Sequence, residues 1–325
     1  MKIPEKVILV TCGAGFIGSN YLNTVVPRYP NYRFVNIDAL TYAADLKNIT
    51  VADAPNYVFV QADIRDVSAL QKTWETYSPT DIIHFAAESH VDNSIAGPRI
   101  FVETNVLGTQ NLLELARASG VKRFHHISTD EVYGSLGFDA PSTDENAPLL
   151  PNSPYSASKA GADHLVRSYN KTFGLNTVIT RASNNYGPHQ HHEKLIQLFI
   201  SNLLSGKKVP LYGTGKNVRD WLYVGDHILG IDAAFHKGKS GEVYNLGGGV
   251  ELENIDITKK LLKLTGRDES AIEYVTDRKG HDLRYALDCR KAKRELNWAP
   301  LKSLEEGLRE TVTYHKRKQE SDKKN

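Results

Sequence analysis

Three clusters in the 325-residue chain have the residue types and spacing that move protons or hold a nucleotide. Ser128-Thr129-Asp130-Glu131-Val132-Tyr133-Gly134 sets a hydroxyl beside two adjacent carboxyl groups. Burial and mutual repulsion drive neighbouring acids to different protonation states, so one donates a proton while the other accepts one, the chemistry of water elimination. Tyr155 and Lys159 stand four apart, which on a helix puts both on one face a turn apart. A cation at that distance favours the phenolate, making Tyr155 a base for a sugar or alcohol hydroxyl, with Lys159 able to reach a ribose. The third cluster is Thr11-Cys12-Gly13-Ala14-Gly15-Phe16-Ile17-Gly18, with Asp38 twenty residues beyond Gly18. Glycines let the backbone approach a pyrophosphate, the following helix N-terminus supplies N–H groups, and an acid after the second strand accepts from ribose hydroxyls. An acid there favours NAD over NADP. Each cluster alone has a plainer reading, as a surface contact, a loop cap or a tight turn; their presence in one chain reverses that preference.

The elements that must position these groups follow from hydrophobic pattern. Short apolar runs at Val7-Val10, Phe34-Ile37, Tyr57-Val60, Ile82-Phe85, Phe124-Ile127 and Val178-Ile179 read as strands. Between them, Phe16 to Val26, Val67 to Tyr77, Phe101 to Ser119 and Tyr155 to Phe173 read as helices. This alternation predicts an α/β fold, a Rossmann-like doubly wound parallel sheet. After Ser183 the rhythm becomes irregular, with helices at Lys194 to Leu204 and Asp226 to His236, and strands at Val209-Tyr212 and Val243-Leu246. We therefore expect residues 1–183 to form the NAD-binding domain, with a return segment near 216–250. Residues 184–215 and 251–325 would form a smaller C-terminal α/β substrate domain. Leu304 to His315 reads as a last helix before a solvated basic tail, Lys316 to Asn325.

Composition narrows the function classes. With 40 Lys plus Arg against 38 Asp plus Glu, the net charge of +2 offers no field for a polyanion, and no basic stripe with interleaved aromatics points to nucleic acid. Cys12 and Cys289 cannot build a disulfide framework, and no zinc-ligand spacing occurs, so we expect a metal-free protein. Only four apolar residues follow the first charges, and no run approaches ~20, so neither export nor membrane insertion is expected and the cytoplasm is the expected location.

Taken together, the Thr11-to-Gly18 turn, Ala86-Ala87-Glu88-Ser89-His90-Val91-Asp92, Ser128-to-Gly134, Ser153-Pro154-Tyr155-Ser156-Ala157-Ser158-Lys159 and Arg181-Ala182-Ser183-Asn184-Asn185-Tyr186-Gly187-Pro188 resemble the extended short-chain dehydrogenase/reductases. Within them the chain is similar to the dTDP-glucose 4,6-dehydratases from about residue 6 to about residue 315, most specifically at Thr129-Asp130-Glu131. The resemblance implies a hydro-lyase that converts a nucleoside-diphosphate glucose to its 4-keto-6-deoxy form with NAD. Tyr155, assisted by Thr129, would take the sugar 4-hydroxyl proton; Glu131 would take the C5 proton while Asp130 protonates the departing 6-hydroxyl. It further implies that Thr11, Gly13, Gly15, Phe16, Ile17, Gly18, Asp38, Leu40, Thr41, Asp63, Ile64, Ala87, Thr104, Tyr155, Lys159 and Asn185 hold NAD. Ser89, Thr129 and Asn184 would face the hexose. Lys194, Leu195, Pro210, Tyr212, Arg219, Asn254, Arg278 and His281 would take the nucleoside diphosphate, the arginines by bidentate contact. Helices over Ile100 to Ser119 and Tyr155 to Phe173 resemble those of a four-helix homodimer interface.

The chain departs from that pattern at Cys12, the first position of the family's glycine turn, where a Cβ is costly if φ is positive. Asn93 stands where Arg is usual, and His192 where Pro is usual. Several readings compete: UDP-glucose as the substrate, a 4-epimerase, a decarboxylase, or a non-catalytic NAD-binding sensor. An epimerase or decarboxylase needs no carboxyl pair after Thr129, and a sensor needs neither that pair nor Tyr155 and Lys159.

Overall fold

The computed structural model describes residues 3–277 and 280–322. In chain order the first part comprises β1 (Lys6–Thr11), α1 (Phe16–Arg28), β2 (Tyr32–Asp38), β3 (Tyr57–Gln61), α2 (Val67–Tyr77), β4 (Asp81–His84), α3 (Val91–Ala96), α4 (Arg99–Phe101), α5 (Thr109–Ala118), β5 (Arg123–Thr129), α6 (Pro154–Phe173) and β6 (Thr177–Ala182). Then follow β7 (Asn184–Tyr186), α7 (Leu195–Leu204), β8 (Val209–Tyr212), β9 (Val218–Tyr223), α8 (Val224–Lys237), β10 (Glu242–Leu246), β11 (Glu251–Glu253), α9 (Asn254–Thr265), β12 (Ile272–Val275), α10 (Arg290–Leu296) and α11 (Leu304–Asp322).

Strands β10-β6-β5-β4-β1-β2-β3 form one seven-stranded sheet, and every pairing in it is parallel. Alternation along the strands explains why both faces are covered. Ile8, Val10 and Phe34 face a core built with Tyr21 and Leu22 of α1 and Ile228 and Ile231 of α8. Leu9, Val35, Ile37, Ile82 and Phe124 face the opposite core, with Leu70 of α2, Leu112 and Leu113 of α5, and Val166 of α6. The chain winds outward from β1 through β2 to β3, then restarts at β4 on the other side of β1. Such a switch point opens a crevice at the carboxyl ends of β1 and β4.

The later segments divide unevenly. β9 pairs with β7 and β11 in a three-stranded sheet, and β8 pairs with β12, whereas α8 and β10 lie with the large sheet. Ile196, Phe199 and Leu203 of α7 pack with Ile257 and Leu261 of α9 and Leu308 of α11, continuous with the core under α1.

Two elements differ from the sequence expectation. The single helix read over Phe101 to Ser119 contains a π-helical stretch, Val102–Gly108, before α5. Apolar periodicity does not separate i→i+4 from i→i+5 bonding, but packing does: a Cβ on Gly108 would lie 2.6 Å from the Ile64 side chain. The stretch also buries Asn105, whose amide bonds both backbone groups of Glu88 at 2.8 and 3.0 Å and Ser158 Oγ at 2.8 Å. The second difference is α11, which continues through Asp322 instead of ending at His315. No Gly or Pro interrupts the charged run after His315, so the helix continues, and Lys316, Arg317, Lys318 and Glu320 are exposed as expected.

Candidate active site

The glycine turn is held by side chains that sequence alone assigned to a ligand. Thr11 Oγ1 accepts the N–H groups of Phe85 and Ala86 at 3.0 and 2.9 Å and lies 2.8 Å from His84 Nδ1, fully buried. Its hydroxyl fastens β1 to the end of β4 and is spent there. Gly13 likewise turns inward: its N–H donates to Asn36 Oδ1 at 2.9 Å, and a Cβ would sit 2.2 Å from that oxygen. Gly18 lets α1 approach β1, since a Cβ there would lie 2.2 Å from the Cys12 carbonyl oxygen. Cys12 adopts φ 57, the left-handed region, so the cost foreseen for a side chain there is real. Burial, then Asp38 and Glu88, push its thiol pKa up, leaving it a neutral thiol.

Two cavities meet beside this turn. The larger, about 190 Å³, runs past Gly15, Phe16, Ile17 and Gly18 on one side and Thr41, Ala87 and Ser89 on the other, and ends at Tyr155 and Lys159. The smaller is lined by Asp38, Asp63, Ile64 and Thr104 and shares Cys12, Thr41, Ala87 and Glu88 with the first. Asp38 accepts from Ala14 N at 2.9 Å and Leu40 N at 2.8 Å; burial raises its pKa while these bonds oppose the rise. Leu40 enters through that backbone N–H at φ 54. Asp63 pairs with Arg65 at 2.6 Å, which holds its carboxyl below the ordinary range. Thr104 Oγ1 is buried with no hydrogen-bond partner, a group waiting for a polar ligand atom.

Thr129, Asp130 and Glu131 gather around Tyr155, which lines the larger cavity. Thr129 ends β5 and caps one 3₁₀ turn, Asp130–Tyr133, by accepting the Glu131 N–H at 3.2 Å. Ser153 and Ser156 form a capping box with Pro154 in the first turn of α6, which places Tyr155 at the helix entrance. Asp130 is 3% exposed; burial first, then Glu131 and Asp220, raise its pKa well above the carboxylate range. Tyr155 is also raised, by burial, then by Glu131, with Thr129 pulling the other way. This corrects the expectation that Lys159 lowers the phenol. Lys159 Nζ donates to Ile127 O at 2.8 Å, and burial lowers its own pKa to about 8.

A third cavity, about 170 Å³, shares Glu193 and Lys194 with the first. Glu131, Asn184, Lys194, Leu195, Pro210, Tyr212, Arg219, Asn254 and His281 all line it. Lys194 Nζ donates to Ser89 O at 3.0 Å, joining the two cavities. Arg219 stacks over Tyr285 at 4.6 Å and donates to the Asp282 carbonyl at 3.0 Å, which orients the guanidinium. Asn184 Oδ1 and Asn185 Oδ1 are buried without partners. Arg278 lies outside the described residues.

The family model described as GDP-mannose 4,6 dehydratase matches residues 9–311. A dTDP-glucose 4,6-dehydratase of Neisseria meningitidis is 47% identical over 95% of this chain and 92% of its own length. One from Streptomyces antibioticus is 49% identical over 95% and 92%. A crystal structure of the Streptomyces venezuelae dTDP-glucose 4,6-dehydratase, solved with NAD bound, superposes with a TM-score of 0.93 at 49% identity, covering 97% of this chain and 98% of that one. The chain belongs to the dTDP-glucose 4,6-dehydratase family.

For a family whose solved members carry NAD, the residues fit that cofactor here. The unpartnered Thr104 hydroxyl, the Asp38 carboxylate and the two adjoining cavities that share Cys12, Thr41, Ala87 and Glu88 offer the polar groups and the space that a dinucleotide uses. Residues beyond the sequence reading also contribute. Glu193 lies between the first and third cavities, within 3.4 Å of both Tyr42 Oη and His191 Nδ1 and 3.9 Å from His90 Nε2. His126, Asp163 and Arg181 lie buried behind Lys159. The Lys159–Asp163 spacing of four was the signal available for Asp163; nothing in sequence pointed to Glu193. Among the departures, Asn93 and His192 are both exposed, and the His192 ring packs 4.1 Å from that of His191.

Proposed function

We propose that this chain carries out NAD-dependent 4,6-dehydration of a nucleoside-diphosphate glucose, dTDP-glucose foremost, releasing water and the 4-keto-6-deoxy sugar nucleotide. The observation that carries this reading is a buried Asp130, its pKa raised, adjoining Glu131, with Tyr155 on the first cavity and Glu131 on the third. NAD, when bound, takes hydride from C4 and returns it to C6, so it ends as it began.

Each protein group has one task. Tyr155, as the phenolate that the Lys159 ammonium stabilises, receives the 4-hydroxyl proton with Thr129 beside it, and Lys159 also holds a ribose. Once C4 is a ketone the C5 hydrogen is acidic, so Glu131 removes it. Asp130 then gives its proton to the 6-hydroxyl, which leaves as water. An acid must hold its proton until that step, and burial with a like-charged neighbour supplies the raised pKa it needs. Gly15, Phe16, Ile17, Asp38, Thr41, Ala87 and Thr104 bind the cofactor; Lys194, Arg219, Asn254 and His281 bind the diphosphate and nucleoside. Thr11 and Gly13 act by shaping the turn.

The same reading assigns the chain to a homodimer. Ile95 of α3, Val102 and Leu107 of the π-helical stretch are each 44–49% exposed, apolar, and borne by segments packed beside α6. It also assigns the protein to the cytoplasm. No helix among the described residues is long and apolar enough to cross a membrane.

Mass spectrometry of products from dTDP-glucose and UDP-glucose in parallel tests the reaction. Loss of one water with the nucleotide retained is expected, with the thymidine sugar preferred. A product of unchanged mass would replace dehydration with epimerisation.

A further inference from the structure

Behind the reacting groups, a file of buried polar side chains leads away from the cavity. Lys159 Nζ lies 3.5 Å from His126 Nε2, and that nitrogen lies 3.4 Å from Asp163 Oδ1. Asp163 Oδ2 accepts from Arg181 Nε at 2.8 Å. Arg181 Nη1 donates to Tyr133 Oη at 2.8 Å, and Tyr133 donates to Asn245 Oδ1 at 2.8 Å. All six side chains are buried, with Asp163 and His126 each at 1% exposure.

An ion pair so placed is a poor stabiliser, because desolvation offsets most of its Coulomb energy. What it does retain is a weakly screened field on its neighbours. Asp163 stands one turn from Lys159 on α6, while Arg181 on β6 and the Tyr133–Asn245 bond fix its orientation. We propose that Asp163 is a positioning residue for the reaction: its carboxylate, anchored by Arg181, keeps Lys159 protonated and aimed into the cavity beside Tyr155.

The charges around Lys159 leave this task to Asp163. His84 on β4 and His126 on β5 are held neutral, by burial first and then by the Lys159 charge itself. His125, also on β5, is neutral through burial. Burial also raises the pKa of the Tyr155 phenol on α6. Arg181 repels an ammonium, and Asp130 and Glu131 act on Tyr155 and not on Lys159. Burial lowers the Lys159 pKa to about 8, and Asp163 is the group that opposes the fall. A lysine in that range loses its charge near neutral pH once its counter-charge is taken away.

Asp163→Asn tests the assignment in protein labelled with ¹³C at the lysine ε-carbon, the Lys159 resonance being identified by its loss in Lys159→Met. Its titration midpoint is expected to fall by about 1–3 pH units, the size of the shift that a nearby opposite charge confers. The alkaline limb of kcat should move down with it, and Asp163→Glu should restore both. If Asp163→Asn leaves Arg181 unpaired and fails to fold, Asp163→Asn/Arg181→Met removes both charges and should lower the midpoint by a smaller amount, because the repulsion from Arg181 goes with the attraction of Asp163. A folded variant with an unmoved midpoint and merely lower thermal stability would overturn the proposal. The activity limb rests on the dehydratase reading, whereas the Lys159 midpoint does not. Product analysis of the parent protein therefore separates failure of one from failure of the other.

Discussion

Thr129 Oγ1 donates to Asp130 Oδ1 at 3.2 Å, while Asp130 Oδ2 is buried and accepts no hydrogen bond. A carboxylate in that position would face Glu131 and Asp220 with half its acceptor capacity unused, so the neutral acid is the stable form.

Asp130→Asn keeps the shape and removes the proton. We expect water elimination to fall by at least about 100-fold, with C4 oxidation, read as NADH absorbance in a single turnover, retained. The variant should also be more stable than the parent at neutral pH. The folded pKa of Asp130 is raised, so parent stability is fully present below the unfolded value of about 3.9 and is lost as pH rises, because the unfolded chain releases a proton that the folded one holds. Asn has no such loss. Thermal melts at pH 4 and pH 7.5 check the sign; a variant less stable at the higher pH would show that Asp130 is ionised in the fold.

Tyr155→Phe removes the proton acceptor of the first step while leaving a ring of the same size in a buried place. Single-turnover NADH formation should drop by at least about 100-fold with NAD affinity little changed. Normal NADH formation would mean that another group takes the proton.

Thr11→Val leaves the N–H groups of Phe85 and Ala86 without an acceptor in a fully buried place. The expected cost is about 2–4 kcal/mol in urea unfolding, since each stranded donor loses its solvation. A change below about 0.5 kcal/mol would show that water or a backbone shift replaces the hydroxyl.

Cys12→Gly relieves a side chain held at φ 57. The left-handed region costs a residue with a Cβ about 1–2 kcal/mol, and the extra freedom of glycine in the unfolded chain returns about half of that. We expect stability within ~1 kcal/mol of the parent and NAD binding, by calorimetry on cofactor-stripped protein, no weaker. A clear loss of affinity would mean that the cysteine itself helps hold the cofactor.

The parallel sheet was readable because each of its strands carries a short apolar run and each crossover is long enough for a helix. β7, β9, β11 and β12 were not readable. They are three to six residues long, and β9 pairs with strands from distant parts of the chain. The site residues divide in a similar way. Tyr155 and Lys159 announce themselves by spacing, and Thr129, Asp130 and Glu131 by adjacency. Thr11 shares a motif with true cavity residues, and only packing reveals that its hydroxyl is spent on the β4 end.

By itself the sequence determined the order of the elements, the glycine turn with Asp38, and the proton-carrying groups after β5 and at the start of α6. Periodicity, turn chemistry and local spacing all act within a few residues, and so they can be read along the chain. Tertiary structure alone decided that burial raises the pKa of Asp130, that it raises the Tyr155 phenol although a lysine stands four residues on, and that Asp163 and Arg181 lie behind Lys159 with His126 between. Those properties depend on desolvation and on charges brought together from separate strands. Neither quantity exists until the chain has packed.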